Sequence, residues 1–222
     1  MIVLFDIDDT LLDHEGANRA AANALHRAVR PVMPLDEFVS AWSAALDRHF
    51  ARYLAGEVSL QEQRRARVRE VMDQALPDQE ADRVYASFLS AYEAGWSLFP
   101  DVLPCLDALS SQRLGIISNG QGAQQRKKLA QTGIAGRFEC IVISEECGSA
   151  KPSEEIFLQA CRLIGVSPRD AVYVGDRYDV DAAGARQAGL AGIWLDRRRT
   201  RTEGHQPPIV STLDEIAALI GL

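Results

Sequence analysis

From Asp101 onward the chain alternates short apolar stretches with helical patterns, and this alternation limits the fold more than any other feature. Leu114 to Ser118, Glu139 to Ser144, Ala171 to Gly175 and Gly192 to Leu195 read as strands. Asp101 to Gln112, Gln124 to Thr132, Ser153 to Ile164, Asp179 to Ala188 and Leu213 to Ile220 read as helices. A strand that is apolar throughout must be covered on both faces. Repeated units of this kind therefore predict a doubly wound parallel α/β sheet.

One further strand, Met1 to Phe5, stands far from the others and runs into Asp6, Asp8, Asp9 and Asp13. Carboxylates held so close repel one another when ionised, so a strand end that gathers them calls for a hard divalent cation with oxygen ligands or is an Asp-rich turn. Between Gly16 and about Leu98 no strand is predicted. Apolar residues recur at helical spacing over Ala20 to Val29, Phe38 to Leu54, Leu60 to Leu76 and Ala81 to Leu98, punctuated by Pro31, Pro34, Gly56 and Pro77. We expect about four helices packed as a bundle, inserted between the first and second strands. The expected division is residues 1–15 with 99–222 as the α/β domain and 16–98 as the helical one.

Length and charge narrow the class further. A chain of 222 residues is long enough for a sizeable core, and a net charge of −7 gives no electrostatic footprint for a nucleic acid polymer or an anionic membrane surface. No apolar run reaches the length of a signal segment or a membrane span, so a cytoplasmic protein is expected. Cys105, Cys140, Cys147 and Cys161 lack the spacing of a zinc site or a disulfide framework and read as buried free thiols. The basic run Arg197 to Arg201 and the turn residues Gly204 to Pro208 read as a solvated loop.

Several strands end in polar residues that a core does not need. The first ends in Asp6 and Asp8, the second in Ser118, Asn119 and Gly120, and the fourth in Gly175 and Asp176, with Asp179 and Asp181 beyond; Lys151 and Pro152 follow the third. In an open parallel sheet ligands bind outside the carboxyl ends of the strands, so these residues are expected to converge. Each alone has a plain alternative, a turn for Ser118 to Gly120 and a solvated lysine for Lys151.

The ordered set Asp6-Ile-Asp8-Asp-Thr10, Ile117-Ser118-Asn119-Gly120, Lys151-Pro152 and Val174-Gly175-Asp176 with Asp181 resembles the haloacid dehalogenase superfamily, in its phosphatase branch with a helical cap. The resemblance implies a Rossmann-like core and a Mg²⁺-dependent phosphomonoesterase acting on a small phosphorylated metabolite. It implies Asp6 as nucleophile, forming an aspartyl-phosphate, and Asp8 as the acid and base that protonates the leaving alcohol and activates water. Asp6, the backbone carbonyl of Asp8 and Asp176 would hold Mg²⁺, with Asp181 supporting the metal shell. Ser118 and the amides around Asn119 and Gly120 would bind phosphate, and Lys151 would pair with the phosphate and Asp6. A halide leaving group needs no proton, so Asp8 favours phosphate esters over haloacids. Arg177 and Val180 depart from the family's usual small hydroxyl residue and Asn.

Gly56 to Arg67, with Asn119-Gly120-x-x-x-Gln124-Gln125-x-x-Lys128-Leu129, resembles the pyrimidine 5′-nucleotidases and N-acylneuraminate-9-phosphatases, which points to a nucleoside monophosphate or sugar phosphate. Arg64 or Arg67 would reach the substrate or form a charged helix face; His14 would line the entrance or face solvent; Trp42, Phe50 and Tyr53 would pack the core. His26, His49 and His205 are given no role. A monomer or homodimer is expected. The rival readings are a phosphomutase, a 2-haloacid dehalogenase and a binding module without catalysis.

Overall fold

The computed structural model describes residues 1–200 and 208–221. Six strands form one parallel sheet in the order β3-β2-β1-β4-β5-β6. Their ranges are β1 Ile2–Phe5, β2 Arg113–Ser118, β3 Cys140–Ile143, β4 Ala171–Gly175, β5 Ala191–Leu195 and β6 Ile209–Val210. Every residue of β1 and β4 is buried, as their unbroken apolar sequences require. Helices α1 His14–Val29, α2 Leu35–Leu54, α3 Leu60–Met72 and α4 Asp78–Ala94 precede β2, followed by α5 Val102–Ala108. Later come α6 Gly122–Gln131, α7 Ser144–Cys147, α8 Glu154–Ile164, α9 Ala183–Gln187 and α10 Ile216–Leu219.

The chain divides into two compact units, Met1–Asp13 with Ser97–Leu222, and His14–Trp96. In the first, apolar residues of β1, β2, β4, α8 and α9 form a shared core that includes Ile2, Leu4, Ile117, Phe157, Tyr173 and Ala185. Asp13 and Ser97, where the chain leaves and re-enters this unit, are joined by an Asp13 N–H to Ser97 carbonyl bond of 3.0 Å.

In the second unit α1 packs on α2 and α4, and α3 packs on the same two helices. Trp42, Phe38 and Phe88 are buried here. Ser59 caps α3 by accepting from the Glu62 amide while Glu62 accepts from the Ser59 amide, which satisfies two donors left free by the first helical turn. Arg67 corrects the sequence reading. It neither reaches outward nor lies on a charged face but is 2% exposed, with its guanidinium 4.2 Å from the Trp42 ring centroid and 4.8 Å from that of Phe88. Its Nη2 donates to Asn18 Oδ1 at 2.9 Å and its Nε to the Trp42 carbonyl at 3.2 Å. Arg64 is half-buried, 5.0 Å from the Tyr85 ring centroid.

Other differences have local causes. The expected helix from Asp179 begins as a π-helical turn over Tyr178–Ala182 before α9, a form that often marks functional sites. The expected third strand stops at Ile143, because Ser144 already opens α7. The closing helix is a 3₁₀ turn, Leu213–Glu215, followed by the single turn of α10. Strand β6 is only two residues long, too short for a periodic signal. The Arg197 guanidinium forms a double ion pair with Asp101 at 2.8 and 3.0 Å and sits 4.0 Å from the Phe99 ring centroid, so this member of the basic run is not a solvated loop residue. Arg201, Gly204 to Pro207 and His205 lie outside the described residues. Among the described residues no helix is long and apolar enough to cross a membrane.

Candidate functional site

The strand register brings the polar residues together. Phe5 pairs with Ile116 on β2 and Val174 on β4, and the Asp6 amide donates to the Val174 carbonyl at 3.0 Å. Asp6 is therefore level with Ile117 and Gly175, at the carboxyl ends of three neighbouring strands.

Lys151 ties these ends together. Its ammonium is 5% exposed as a residue, and its Nζ lies 2.7 Å from each of Asp6 Oδ1, Asp181 Oδ1 and the Tyr173 hydroxyl. An ammonium has three N–H donors, so all of them are engaged. Burial alone would lower the Lys151 pKa, but the carboxylates of Asp181 and Asp6 outweigh it and raise the pKa above the ordinary lysine value. Tyr173 passes its own hydrogen to the Ile117 carbonyl at 2.9 Å. Asn119 fixes the Lys151 backbone: its Oδ1 accepts from the Lys151 amide at 2.8 Å and its Nδ2 donates to the Lys151 carbonyl at 2.9 Å. The Lys151–Pro152 peptide is cis.

Asp181 owes its place to Gly175. A Cβ at residue 175 would fall 2.6 Å from Asp181 Cβ and Oδ2, so only glycine lets this carboxylate pack against the strand end. Asp181 Oδ2 accepts the Arg177 backbone N–H at 2.9 Å, a bond that any residue at 177 except proline would allow. This explains how the unusual residue at that position is accommodated.

Asp6, Asp176 and Asp181 each offer a carboxylate oxygen within 4.8 Å of the others. Burial, with Asp181 and Asp8 adding repulsion against the pull of Lys151, raises the Asp6 pKa to about 6. Burial and the charges of Asp181 and Asp6 raise that of Asp176 well above the ordinary range. Three carboxylates share one ammonium in a largely buried place, leaving up to two negative charges uncompensated. Such a donor set, all oxygen and net negative, fits a hard divalent cation.

The side chain of Asp8 faces a different set of groups. Lys128 Nζ donates to both its oxygens at 2.6 and 2.8 Å, and Gln125 Nε2 donates to Oδ2 at 2.9 Å. Ser118, 1% exposed, accepts from Gln125 Nε2 at 2.7 Å. Thr10 Oγ1 approaches Asp176 Oδ1 at 3.5 Å. Asp9 takes a left-handed backbone with φ 57°, tolerable for Asp, and burial followed by the Asp8 charge raises its pKa to about 7. The Gly120 amide, expected to face phosphate, instead donates to Ser144 Oγ at 2.9 Å with Gly120 at φ 140°. Its hydrogen is spent on holding the loop to α7.

Tyr173, Gln125, Lys128 and Arg197 were not assigned site roles from sequence. Tyr173 carried one signal, a hydroxyl in an otherwise aliphatic strand that burial obliges to find a partner. Gln125 and Lys128 are three residues apart on one helix face after Ser118-Asn119-Gly120. Arg197 carried none, although its Nη2 donates to the Thr10 carbonyl in the first loop at 2.8 Å. His14, for its part, lies within the helical unit, with Nδ1 2.6 Å from the Tyr92 hydroxyl.

Known proteins share both the sequence and the architecture. The glyceraldehyde 3-phosphate phosphatase of Methanopyrus kandleri is 32% identical over 212 residues, covering 88% of this chain and 83% of its own length. The pyrimidine 5′-nucleotidase YjjG of Escherichia coli is 36% identical over 145 residues, 64% of each chain. The solved structure of the magnesium-bound HAD-hydrolase YfnB of Bacillus subtilis superposes with a TM-score of 0.83 at 22% identity, covering 100% of this chain and 98% of that one. The sequence pattern of the haloacid dehalogenase-like hydrolases matches residues 1–189, so with its strand-end carboxylates and buried lysine this chain belongs to the haloacid dehalogenase-like hydrolase family.

Proposed function

We propose that this hydrolase cleaves phosphate monoesters of small metabolites through a phosphoaspartate on Asp6, with Mg²⁺ as its cation. The observation that carries the reading is the buried Asp6 carboxylate, 2.7 Å from Lys151 and beside Asp176 and Asp181, with a second carboxyl two residues on at Asp8. An Asp6 oxygen attacks phosphorus as the bond to the leaving alcohol breaks, and Asp8 supplies the proton that this oxygen needs. Asp8 then takes a proton from water as the water oxygen attacks phosphorus and Asp6 is released. Ser118 accepts from Gln125, so its own hydrogen is placed to donate to a phosphoryl oxygen. Lys151 holds Asp6 and Asp181 in position and balances part of their charge.

Asp6 and Asp176 would hold the metal with the Asp8 carbonyl, and Asp181 would orient the site through Lys151 and the Arg177 amide. When bound, the ion neutralises phosphate charge, so that an anionic nucleophile can approach an anionic ester. The inserted unit His14–Trp96 serves as the cap that reads the rest of the substrate, a nucleoside monophosphate or sugar phosphate. The relatives' names, a triose phosphate phosphatase and a nucleotidase, support that range. The protein acts in the cytoplasm as a monomer or homodimer.

The test is phosphate release from a panel of nucleotides and sugar phosphates, with and without Mg²⁺, using Asp6→Asn as the blank. Metal-dependent release that is absent from the variant supports the mechanism, and the substrate ranking defines what the cap reads. Equal release by Asp6→Asn would remove Asp6 as nucleophile. A bisphosphate that builds up during turnover would favour the mutase, and chloride release from 2-haloacids the dehalogenase.

A further inference from the structure

We propose that Lys128 and Gln125 are positioning residues that hold the acid-base carboxylate of Asp8 and the phosphate-binding hydroxyl of Ser118 in one fixed arrangement. The proposal rests on the phosphatase reading above and says which side chains make its proton transfers efficient.

The geometry is specific. Three residues apart on α6, the two side chains leave the same helix face. Lys128, 2% exposed, grips both Asp8 oxygens at 2.6 and 2.8 Å, which fixes the carboxylate's direction, and the Gln125 amide on Oδ2 supplies the second point that sets its plane. Gln125, also 2% exposed, has its amide nitrogen at 2.9 Å from Asp8 Oδ2, 2.7 Å from Ser118 Oγ and 3.3 Å from the Asn119 carbonyl. With a carboxylate and a carbonyl oxygen both facing this end of the amide, it must be the NH₂ end. One buried amide therefore bridges the residue that moves the proton and the residue that receives phosphate.

A tether whose only task was to fasten α6 to the first loop would not need this arrangement. Burying an ammonium is costly unless it is paired, and here the pair ends on the side chain that must face the leaving group. Asp8 keeps 27% of its side chain exposed, so the grip holds it without closing it off.

Separation of the chemical steps gives the test. Up to departure of the leaving group, kcat/KM reports proton delivery by Asp8, which an alkyl alcohol needs and p-nitrophenolate does not. Hydrolysis of the phosphoaspartate then needs Asp8 as base for every substrate. Lys128→Met is expected to lower kcat/KM about 10²-fold for the best alkyl phosphate of the panel but less than about threefold for p-nitrophenyl phosphate. With p-nitrophenyl phosphate kcat and KM should fall together, and phosphorylated protein should accumulate, visible as a burst of p-nitrophenol and by intact mass. Lys128→Arg should restore most of the alkyl rate.

Should Lys128→Met fold poorly, Gln125→Leu carries the same test: freeing Ser118 should lower kcat/KM for both esters, and freeing Asp8 should add a further loss of about tenfold for the alkyl ester alone. Equal losses for both leaving groups with no phosphoprotein, or no loss at all, would overturn the proposal while leaving the phosphatase reading intact. A wild type inactive on both esters with Mg²⁺ would overturn the phosphatase reading first and this proposal with it.

Discussion

The two units of the molecule bury charge in opposite ways. In the α/β unit Lys151 is held between two carboxylates and Lys128 by both oxygens of a third, and the acidic groups outnumber the ammonium beside Asp6. In the helical unit Arg67 is as deeply buried, yet its contacts are neutral: an amide oxygen, a backbone carbonyl and two aromatic faces. Burial therefore lowers the Arg67 pKa to about 10, with Tyr85 and Tyr92 opposing it, whereas in Lys151 the carboxylates overcome burial. An excess of anions held together by one cation is chemistry waiting for a ligand. A cation spread over neutral groups and aromatic rings is packing.

Removing the two cations should break that comparison. Lys151→Met leaves Asp6 and Asp181 buried against each other. We expect phosphatase activity to fall by about 10²–10³-fold and, without divalent metal, stability to urea to fall by roughly 3–5 kcal/mol. Added Mg²⁺ should recover part of that stability, because a ligand that binds only the folded state stabilises it. A Lys151→Met protein as stable as wild type in chelator would show that the carboxylates do not need the ammonium. Arg67→Met takes its hydrogen bonds from neutral acceptors, chiefly Asn18 Oδ1, and should cost no more than about 2 kcal/mol by the same urea measurement. A larger loss there would mean the guanidinium is structural in the way that Lys151 is.

A further ion pair, Asp101 with Arg197, borders the first loop, where Arg197 also donates to the Thr10 carbonyl. Burial acts to raise the Asp101 pKa, but hydrogen bonds from Arg197 and the Leu213 amide outweigh it and hold the carboxyl below its usual value. A folded pKa below the unfolded one contributes stability that is present above about pH 4 and is lost as pH falls through the folded value. Wild type should thus exceed Asp101→Asn in thermal stability at pH 7, and the gap should narrow in melts taken at successively lower pH below about 4. A gap that stays constant with pH would locate the effect in packing instead of charge. The effect should be smaller than that of Lys151→Met, since this pair is partly open to solvent.

How far the sequence could be read follows the same division. The apolar strands and the carboxylates at their ends were legible because both are written in residue type at short range: Val3 and Leu4 have nowhere to go but the core, and Asp6 is out of place there. The side chains that complete the site were not, because their partners lie far away in the chain. Lys128 meets Asp8 across 120 residues and Arg197 meets Thr10 across 187, and no local pattern records such a pairing. Gly120 shows the reverse limit. Its place in the turn was readable, but the amide's partner, Ser144, became visible only when β2 and β3 were set side by side. Arg67 was misjudged because helical periodicity assigns a charged residue to the outer face, whereas aromatic side chains from α2 and α4 can enclose a guanidinium.

The smallest expected effect gives a way to follow the two units separately. Cys105, Cys140, Cys147 and Cys161 all belong to the α/β unit, while Trp42 and Trp96 belong to the helical one. Burial first, with Asp101 and Asp214 adding to it, pushes the Cys105 thiol up to about 12. Burial also raises Cys140 to about 11, against a hydrogen bond to its thiol from the Ile116 backbone. The thiolate is the reactive form, so at pH 8 roughly one Cys105 in 10⁴ would be ionised in the folded protein. Both residues should resist alkylation until the α/β unit opens, and peptide mass mapping along a urea gradient would show when that happens. Trp fluorescence from Arg67→Met over the same gradient reports mainly on the helical unit, where two of the three tryptophans lie. If the charge web around Lys151 is local to its own unit, Lys151→Met should bring Cys105 and Cys140 alkylation to lower urea and move the fluorescence transition less. Coincident shifts would mean that the units unfold as one cooperative body, and the two ways of burying charge would then be two parts of a single stability.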